Sequence, residues 1–382
     1  MKPTIEVANV LDAYWLQVEQ LSGINSWQLR TLSAIRRCRT AALGSHVDGC
    51  SSCGHLRISY NSCRNRHCPK CQGVQRERWI QDREAELLPV PYFHVVFTLP
   101  EALHSLCLHE PATMYHILFD VVWETINCFG NDIKWLGAQT GMIAILHTWG
   151  QTMSLHPHVH CIVPGGGLTK QNKWRTAKSE GKYLFNVKAM SNVFRGKYIA
   201  LLKKRLPEQI TVPLINNLYK QSWVVFAKRP FENPKSVIEY LGRYTHKIAI
   251  SNHRLQGLEN GQVSFKYKDY RQGAAIKTML LEAMEFIRRF SMHILPKGFV
   301  RIRHYGILSS TSKQKCGTEI RSQLPAIKTP EYLRLTTKKQ LYNPKQCPCC
   351  KKETMETIIH FKNRPPPLYW KQMAMDLMEI IS

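Results

Sequence analysis

The chain has 382 residues, enough for two or three domains with a sizeable core, and its 44% hydrophobic and 10% aromatic content excludes a disordered protein. No apolar stretch is long enough to span a bilayer and no signal-peptide pattern opens the chain, so a soluble, cytoplasmic protein without membrane partners is expected. Lys and Arg number 53 against 27 Asp and Glu, a formal charge of +26 spread over many clusters, which favours a nucleic-acid partner tracked by a folded surface.

In chain order, the first stretch up to about Leu43 reads as helical and basic. From His46 to Gln72 the composition turns to Cys, Gly, Ser, Asn and Arg, as in a small metal-stapled module. Pro89-Val90-Pro91 marks a boundary. Strands are expected over 93–99, 142–149, 158–163 and 222–227, the second and third forming a hairpin. Helices are expected between 101 and 129, over 188–206, over 234–247 with Asn233 as N-cap and Pro234 at N1, and over 278–291. The domains are then a DNA-binding module at 1–90, a catalytic domain at 91–310 and a basic C-terminal tail at 311–382.

Thirteen cysteines, an odd number in a chain of cytosolic character, argue for metal binding rather than disulfides. Cys50-Ser51-Ser52-Cys53 and Cys68-Pro69-Lys70-Cys71 are two knuckles whose four thiolates, Cys50, Cys53, Cys68 and Cys71, suit one tetrahedral structural Zn²⁺. Cys63 and His67, between the knuckles, could substitute for a ligand or join Cys38 or His46 in a second site, but they read first as structural or DNA-facing residues outside the ligand set. Arg64, Arg66 and Lys70 make the module a candidate DNA contact. Cys347-Pro348-Cys349-Cys350 is a third knuckle with no fourth after it; His360 is its nearest conceivable partner.

His158-Val159-His160 lies in a strand, where a period of two sends both imidazoles to one face and Val159 to the other. Two imidazoles on one face are most of a metal site. His147 and Gln151 share parity on the preceding strand, and either could be the third ligand, with His147 preferred as the stronger donor. Tyr240 and Tyr244 stand at i and i+4 of the expected helix, and Lys247 follows. Alone, such a pair reads as core packing. Beside the histidine strand and the basic charge, it reads as a nucleophile pair, because a phenol can attack a phosphodiester.

Together these motifs resemble the IS91-family transposases of the HUH endonuclease superfamily, two-tyrosine branch. His158-Val159-His160 is similar to the superfamily's His-hydrophobic-His motif, Phe97-Thr98-Leu99 to the neighbouring strand motif, and Tyr240 through Lys247 to the paired tyrosines and the Tyr-x-x-Lys pattern. The knuckles with Asn61 to Pro69, and the blocks 286–290 and 303–306, also resemble family sequence. The resemblance implies an α+β, palm-like fold: a central antiparallel sheet carrying the metal, flanked by helices, with a zinc-ribbon-like module before it. It implies nicking and rejoining of single-stranded DNA at element ends through a 5′-phosphotyrosine, by a rolling-circle-like route, with Mg²⁺ or Mn²⁺ at the histidines. Tyr240, Tyr244 and Lys247 are then catalytic, and Arg243 joins Arg64, Arg66 and Lys70 as DNA-binding candidates. The alternative is a non-catalytic zinc protein that regulates DNA.

Overall fold

The computed structural model describes residues 5–72, 87–178, 184–231, 237, 248–324, 343–362 and 364–381. The chain divides into two compact units: Met1–Arg78 with His246–Ile294 and Pro330–Ser382, and Trp79–Thr245 with Leu295–Thr329.

The thiol-rich unit opens with helices α1 (Val7–Ala13), α2 (Trp15–Glu19) and α3 (Ser26–Arg36). Asn25 caps α3, accepting from the Gln28 amide while the Gln28 side chain accepts from the Asn25 amide. Strands β1 (Ser45–Cys50) and β2 (Leu56–Tyr60) form a hairpin around the first knuckle. The expected tail does not stand apart. Among its residues, β13 (Met355–Phe361) pairs antiparallel with β1, from Ser45 opposite Phe361 to Cys50 opposite Met355. Helix α10 (Trp370–Ile381) lays Trp370 and Ala374 on Val47 and Phe361 of that sheet. Gly49 permits the close approach, since a Cβ there would collide with Ile358 and Met378.

The same unit holds a meander of β9 (Leu255–Glu259), β10 (Gln262–Asp269) and β11 (Ala275–Glu282), followed by α8 (Ala283–Met292). The helix expected over 278–291 therefore begins only at Ala283. Residues 278–282 belong to β11, whose alternating half-buried and exposed side chains show the period of a strand. Their apolar run, Met279-Leu280-Leu281, suits either element locally; pairing with β10 decides it.

The second unit is built on a five-stranded antiparallel sheet of order β12-β4-β5-β3-β8, with β3 (Tyr92–Thr98), β4 (Gly141–Trp149), β5 (Leu155–Pro164), β8 (Val225–Phe231) and β12 (Ile302–Gly306). A short ribbon, β6 (Gly166–Leu168) and β7 (Trp174–Thr176), follows β5. Helices α4 (His104–His109), α5 (Pro111–Asn131), α6 (Val187–Arg205) and α7 (Val212–Lys220) lie between strands, and α9 (Ser310–Ser322) follows β12.

Both faces of this sheet are covered. Phe93, Val95, Phe97, Ala144, Leu146, Val159, Cys161 and Val163 point one way and pack on Ile117, Leu118 and Val121 of α5 and on Phe194, Tyr198 and Leu202 of α6. Each such fully buried large apolar side chain contributes about 1.5–3 kcal/mol. Tyr92, Ile143, Ile145 and Ile162 point the other way, into a cluster with Leu87, Leu88, Ile307, Ile320 of α9 and Val237. The histidines occupy one end of this second face. The architecture is the expected one: an α+β chain with a central antiparallel sheet between helices and a cysteine-rich N-terminal region.

Candidate metal centres

Register assembles the imidazole cluster. His147 on β4 sits directly across from His158 on β5, and His160 follows two residues on, opposite Ile145. The ligand nitrogens of His147, His158 and His160 all lie within 4.8 Å of one another. Nε2 of His158 and Nε2 of His160 are 3.1 Å apart. The His147 ring lies 4.6 Å from that of His160 and stacks on Trp149 at 4.9 Å. His147 and His160 are buried, while His158 is half-buried, so the cluster is reached from the His158 side. Gln151 lies beyond the end of β4, in the turn leading to β5.

Two further hydrogen bonds orient the rings. His158 Nδ1–H donates to the His156 carbonyl at 2.6 Å, which leaves Nε2 as the atom that carries a lone pair towards the cluster. His160 Nδ1 is 2.9 Å from Nε2 of His94 on β3, and these two rings stack at 5.2 Å. Sequence reasoning misses His94, although Phe93-His94-Val95 lies in an expected strand. The available signal is parity: on β3, His94 and Thr98 face the same way, and Thr98 is directly opposite His158. Imidazole ligands are ordinarily held in this way, with the second ring nitrogen hydrogen-bonded by a neighbour.

The cysteines divide otherwise than expected. Cys50, Cys53, Cys68 and Cys71 do not share one centre. Cys68 and Cys71 gather with Cys38 and Cys63, and Cys50 and Cys53 with Cys347 and Cys350. The reason lies in the chain path: Cys50 and Cys53 cap the β1–β2 hairpin, where β13 brings residues 347–350 alongside, whereas Cys38 follows α3 and meets the 63–71 loop. In the Cys38 cluster the sulfur of Cys71 is 3.6 Å from Cys38 and 3.7 Å from Cys63. All thirteen cysteines are free thiols, and these separations far exceed a disulfide bond of about 2.05 Å. They match the edge of about 3.8 Å that a tetrahedron with Zn–S bonds of about 2.3 Å must have. The amide of Cys63 donates to the Cys38 sulfur at 3.4 Å. Hydrogen bonding among the sulfurs, with Cys63 first, holds Cys38 down to about 7.

Of the basic candidates, Arg64 is exposed, in the left-handed region at φ 51°. Arg66 is half-buried beside His67, its Nε 3.3 Å from the ring. Lys70 is committed within its own unit: its ammonium pairs with Glu6 at 2.6 Å and donates to the Cys38 carbonyl at 3.2 Å. That engagement makes it a clamp between α1 and the loop rather than a projecting DNA contact. His360 faces His46 across the sheet, away from the sulfurs. Tyr240, Arg243, Tyr244 and Lys247 lie outside the described residues. Among the described residues, no helix is long and apolar enough to cross a membrane.

Comparisons with known proteins bear on both kinds of centre. A family model described as "Putative transposase" matches residues 141–315, and one described as "Transposase zinc-binding domain" matches residues 10–99. The chain is 41% identical over 394 residues to "Putative transposase y4qJ" of Sinorhizobium fredii (strain NBRC 101917 / NGR234), covering 96% of this chain and 98% of the relative. It is 28% identical over 335 residues to "Transposase for insertion sequence element IS801" of Pseudomonas savastanoi pv. phaseolicola, covering 82% of this chain and 77% of the relative. The zinc-binding match contains all four of Cys38, Cys63, Cys68 and Cys71, in keeping with a structural Zn²⁺ in this region. With a zinc-binding domain at one end, a transposase domain over the histidine strands and a relative alike along almost its whole length, the chain belongs to the IS91-type transposases.

Proposed function

We propose that this transposase nicks and rejoins single-stranded DNA at the ends of its insertion sequence, acting in the cytoplasm, with His147, His158 and His160 holding one catalytic Mg²⁺ or Mn²⁺. The observation that carries this reading is the imidazole trio itself. Two ligands at right angles on a metal at about 2.1 Å lie about 3.0 Å apart, and Nε2 of His158 and of His160 are 3.1 Å apart. When bound, the ion would polarise the scissile phosphate and offset charge built up in the transition state.

The chain's own groups do the remainder. Tyr240 or Tyr244 supplies the phenolic oxygen that bonds to phosphorus, while the bond from phosphorus to the 3′ oxygen breaks. The phenol's proton passes, in net balance, to that 3′ oxygen. The products are a 5′-phosphotyrosine and a free 3′-OH, and attack by a 3′-OH on the phosphotyrosine reverses the step with the bond energy retained. Lys247 follows Tyr244 by three residues and is assigned to charge stabilisation beside the phenolate or phosphate. Val237, three residues before Tyr240, is buried with Ile145 and Ile162 on the sheet face that also carries the histidines, which supports bringing the tyrosine segment to that face. Arg64, Arg66 and Arg243 are assigned to the DNA backbone.

The test is incubation of the full chain with single-stranded oligonucleotides from the flanks of its gene and Mn²⁺, followed by denaturing electrophoresis. A covalent adduct in the wild type, absent from Tyr240→Phe/Tyr244→Phe, is expected. Nicking that persists in the double variant overturns the nucleophile assignment, and salt-sensitive binding without cleavage indicates a regulator instead.

A further inference from the structure

We propose that Cys50, Cys53, Cys347 and Cys350 form a second structural zinc site, composed from the two ends of the chain, which fastens the C-terminal segment to the N-terminal module. Only half of this cluster falls inside the matched zinc-binding region, residues 10–99. Nearly three hundred residues separate its halves, and the Cys347 knuckle has no partner in its own neighbourhood of the sequence.

The four sulfurs lie within 4.8 Å of one another; Cys50 to Cys350 and Cys53 to Cys347 are each 3.7 Å. This is again the edge of a zinc tetrathiolate, about 3.8 Å. The stronger argument is that the two half-sites are the same turn made twice. The Cys50 amide donates to the His55 carbonyl at 3.0 Å, and the Cys347 amide to the Lys352 carbonyl at 2.8 Å. The Gly54 amide donates to the Cys50 carbonyl and the Lys351 amide to the Cys347 carbonyl, both at 3.0 Å. Gly54 has φ 68° and Lys351 φ 64°. Glycine takes that conformation freely, but lysine does so against its Cβ. At Lys351 the bonds of the knuckle hold the backbone in this shape against that cost. The Cys68–Cys71 loop shares only the second of these bonds, from the Gln72 amide to the Cys68 carbonyl at 3.3 Å; its Cys68 amide bonds back to Asn65.

The surroundings are built as well. The Cys349 amide donates to the Cys347 sulfur at 3.4 Å, and the Thr354 hydroxyl lies 2.9 Å from the Cys50 sulfur. The Ser51 amide bonds to the Thr354 carbonyl at 3.1 Å, and Arg57 reaches the Pro344 carbonyl at 3.0 Å. Amides and hydroxyls aimed at sulfur are the usual supports of metal-bound thiolates. The cluster is closed by four protein ligands, so its role is folding and not catalysis. With its ion bound, the site holds β13 against β1.

The test counts zinc in the full-length chain carrying His158→Ala/His160→Ala, so that the imidazoles contribute none. Elemental analysis and native mass spectrometry are expected to give two zinc ions per chain, falling to one when Cys347→Ser/Cys350→Ser is added and staying at two with Cys349→Ser. Brief trypsin treatment is expected to cut the 343–381 segment at least tenfold faster in the Cys347→Ser/Cys350→Ser chain than in its parent. One zinc per chain in the parent, or two retained after Cys347→Ser/Cys350→Ser, overturns the proposal. The parent's count stands even if the cysteine variant fails to fold.

Discussion

The imidazole centre and the thiol centres of this protein are gathered by opposite means. The three histidines come from two neighbouring strands within the short stretch from His147 to His160, and sheet register alone sets them side by side. The eight clustered cysteines come from loops and chain ends, with a span from Cys38 to Cys350, and only tertiary contacts collect them. The first centre rests on a scaffold that exists without the metal, because β4 and β5 are held by two apolar clusters. The second kind joins segments distant in the sequence, and beside the β13 site the core is small: among the described residues, the cluster there fully buries Val47, Phe361 and Ala374. Metal should therefore be dispensable for folding at the histidines and indispensable at the cysteines.

That contrast is broken most sharply by removing a thiolate. Cys68→Ser is expected to lose zinc from the Cys38 cluster and to unfold the N-terminal module, because structural zinc contributes roughly 10–16 kcal/mol of apparent binding energy to such segments. Circular dichroism and zinc content measure it. A module that melts unchanged after Cys68→Ser would remove the distinction between the two kinds of centre.

At the histidines the corresponding experiment leaves the fold intact and touches only the ion. His94→Ala removes the group behind His160 Nδ1. The expected loss is about 10–100-fold in metal affinity, read from the Mn²⁺ dependence of nicking, with an unchanged melting temperature for the sheet unit. A variant as responsive to Mn²⁺ as the wild type would show that His94 does not position His160.

These sites are unequally legible in the sequence. Apolar runs rich in β-branched and aromatic residues mark β3, β4 and β5, and the His-Val-His triplet by itself puts two rings on one face, since strand parity is local information. The division of the cysteines is not local. Spacing identifies knuckles but is silent on which knuckles share an ion, and three knuckles with single cysteines nearby admit several partitions. The partition depends on β13 returning to β1 from about three hundred residues away, and nothing in residues 355–361 specifies that edge. Residues 278–282 mislead for a related reason: a short apolar run has no period of its own, and its partner β10 decides it.

Smaller effects refine the contrast at the surface of the thiol-rich unit. Lys70→Ala breaks the Glu6 pair and the bond to the Cys38 carbonyl, with an expected cost of about 1 kcal/mol in urea unfolding and little change in DNA affinity. A marked fall in affinity would return Lys70 to the DNA contacts. On α8, Arg288 first and then Arg289 hold the Glu285 carboxyl down from its ordinary 4.5 to about 2. A carboxyl depressed on folding stabilises the folded state above its unfolded value. This contribution, at most about 1 kcal/mol for a partly exposed group, is therefore present at pH 7 and fades as pH falls from about 4.5 towards 2. Glu285→Gln should flatten that part of the urea-midpoint profile, and an identical profile would mean that the ion pairs contribute nothing.

The most direct test of the central claim sets binding against chemistry in one variant. His158→Ala/His160→Ala should bind a single-stranded element-end oligonucleotide within about threefold of wild type by fluorescence anisotropy. Its yield of covalent tyrosine adduct with Mn²⁺ should fall about 10³-fold, the loss expected when several kcal/mol of transition-state stabilisation disappear. Adduct formed by this variant at the wild-type rate, with the same Mn²⁺ requirement, would place the catalytic ion elsewhere and contradict the account.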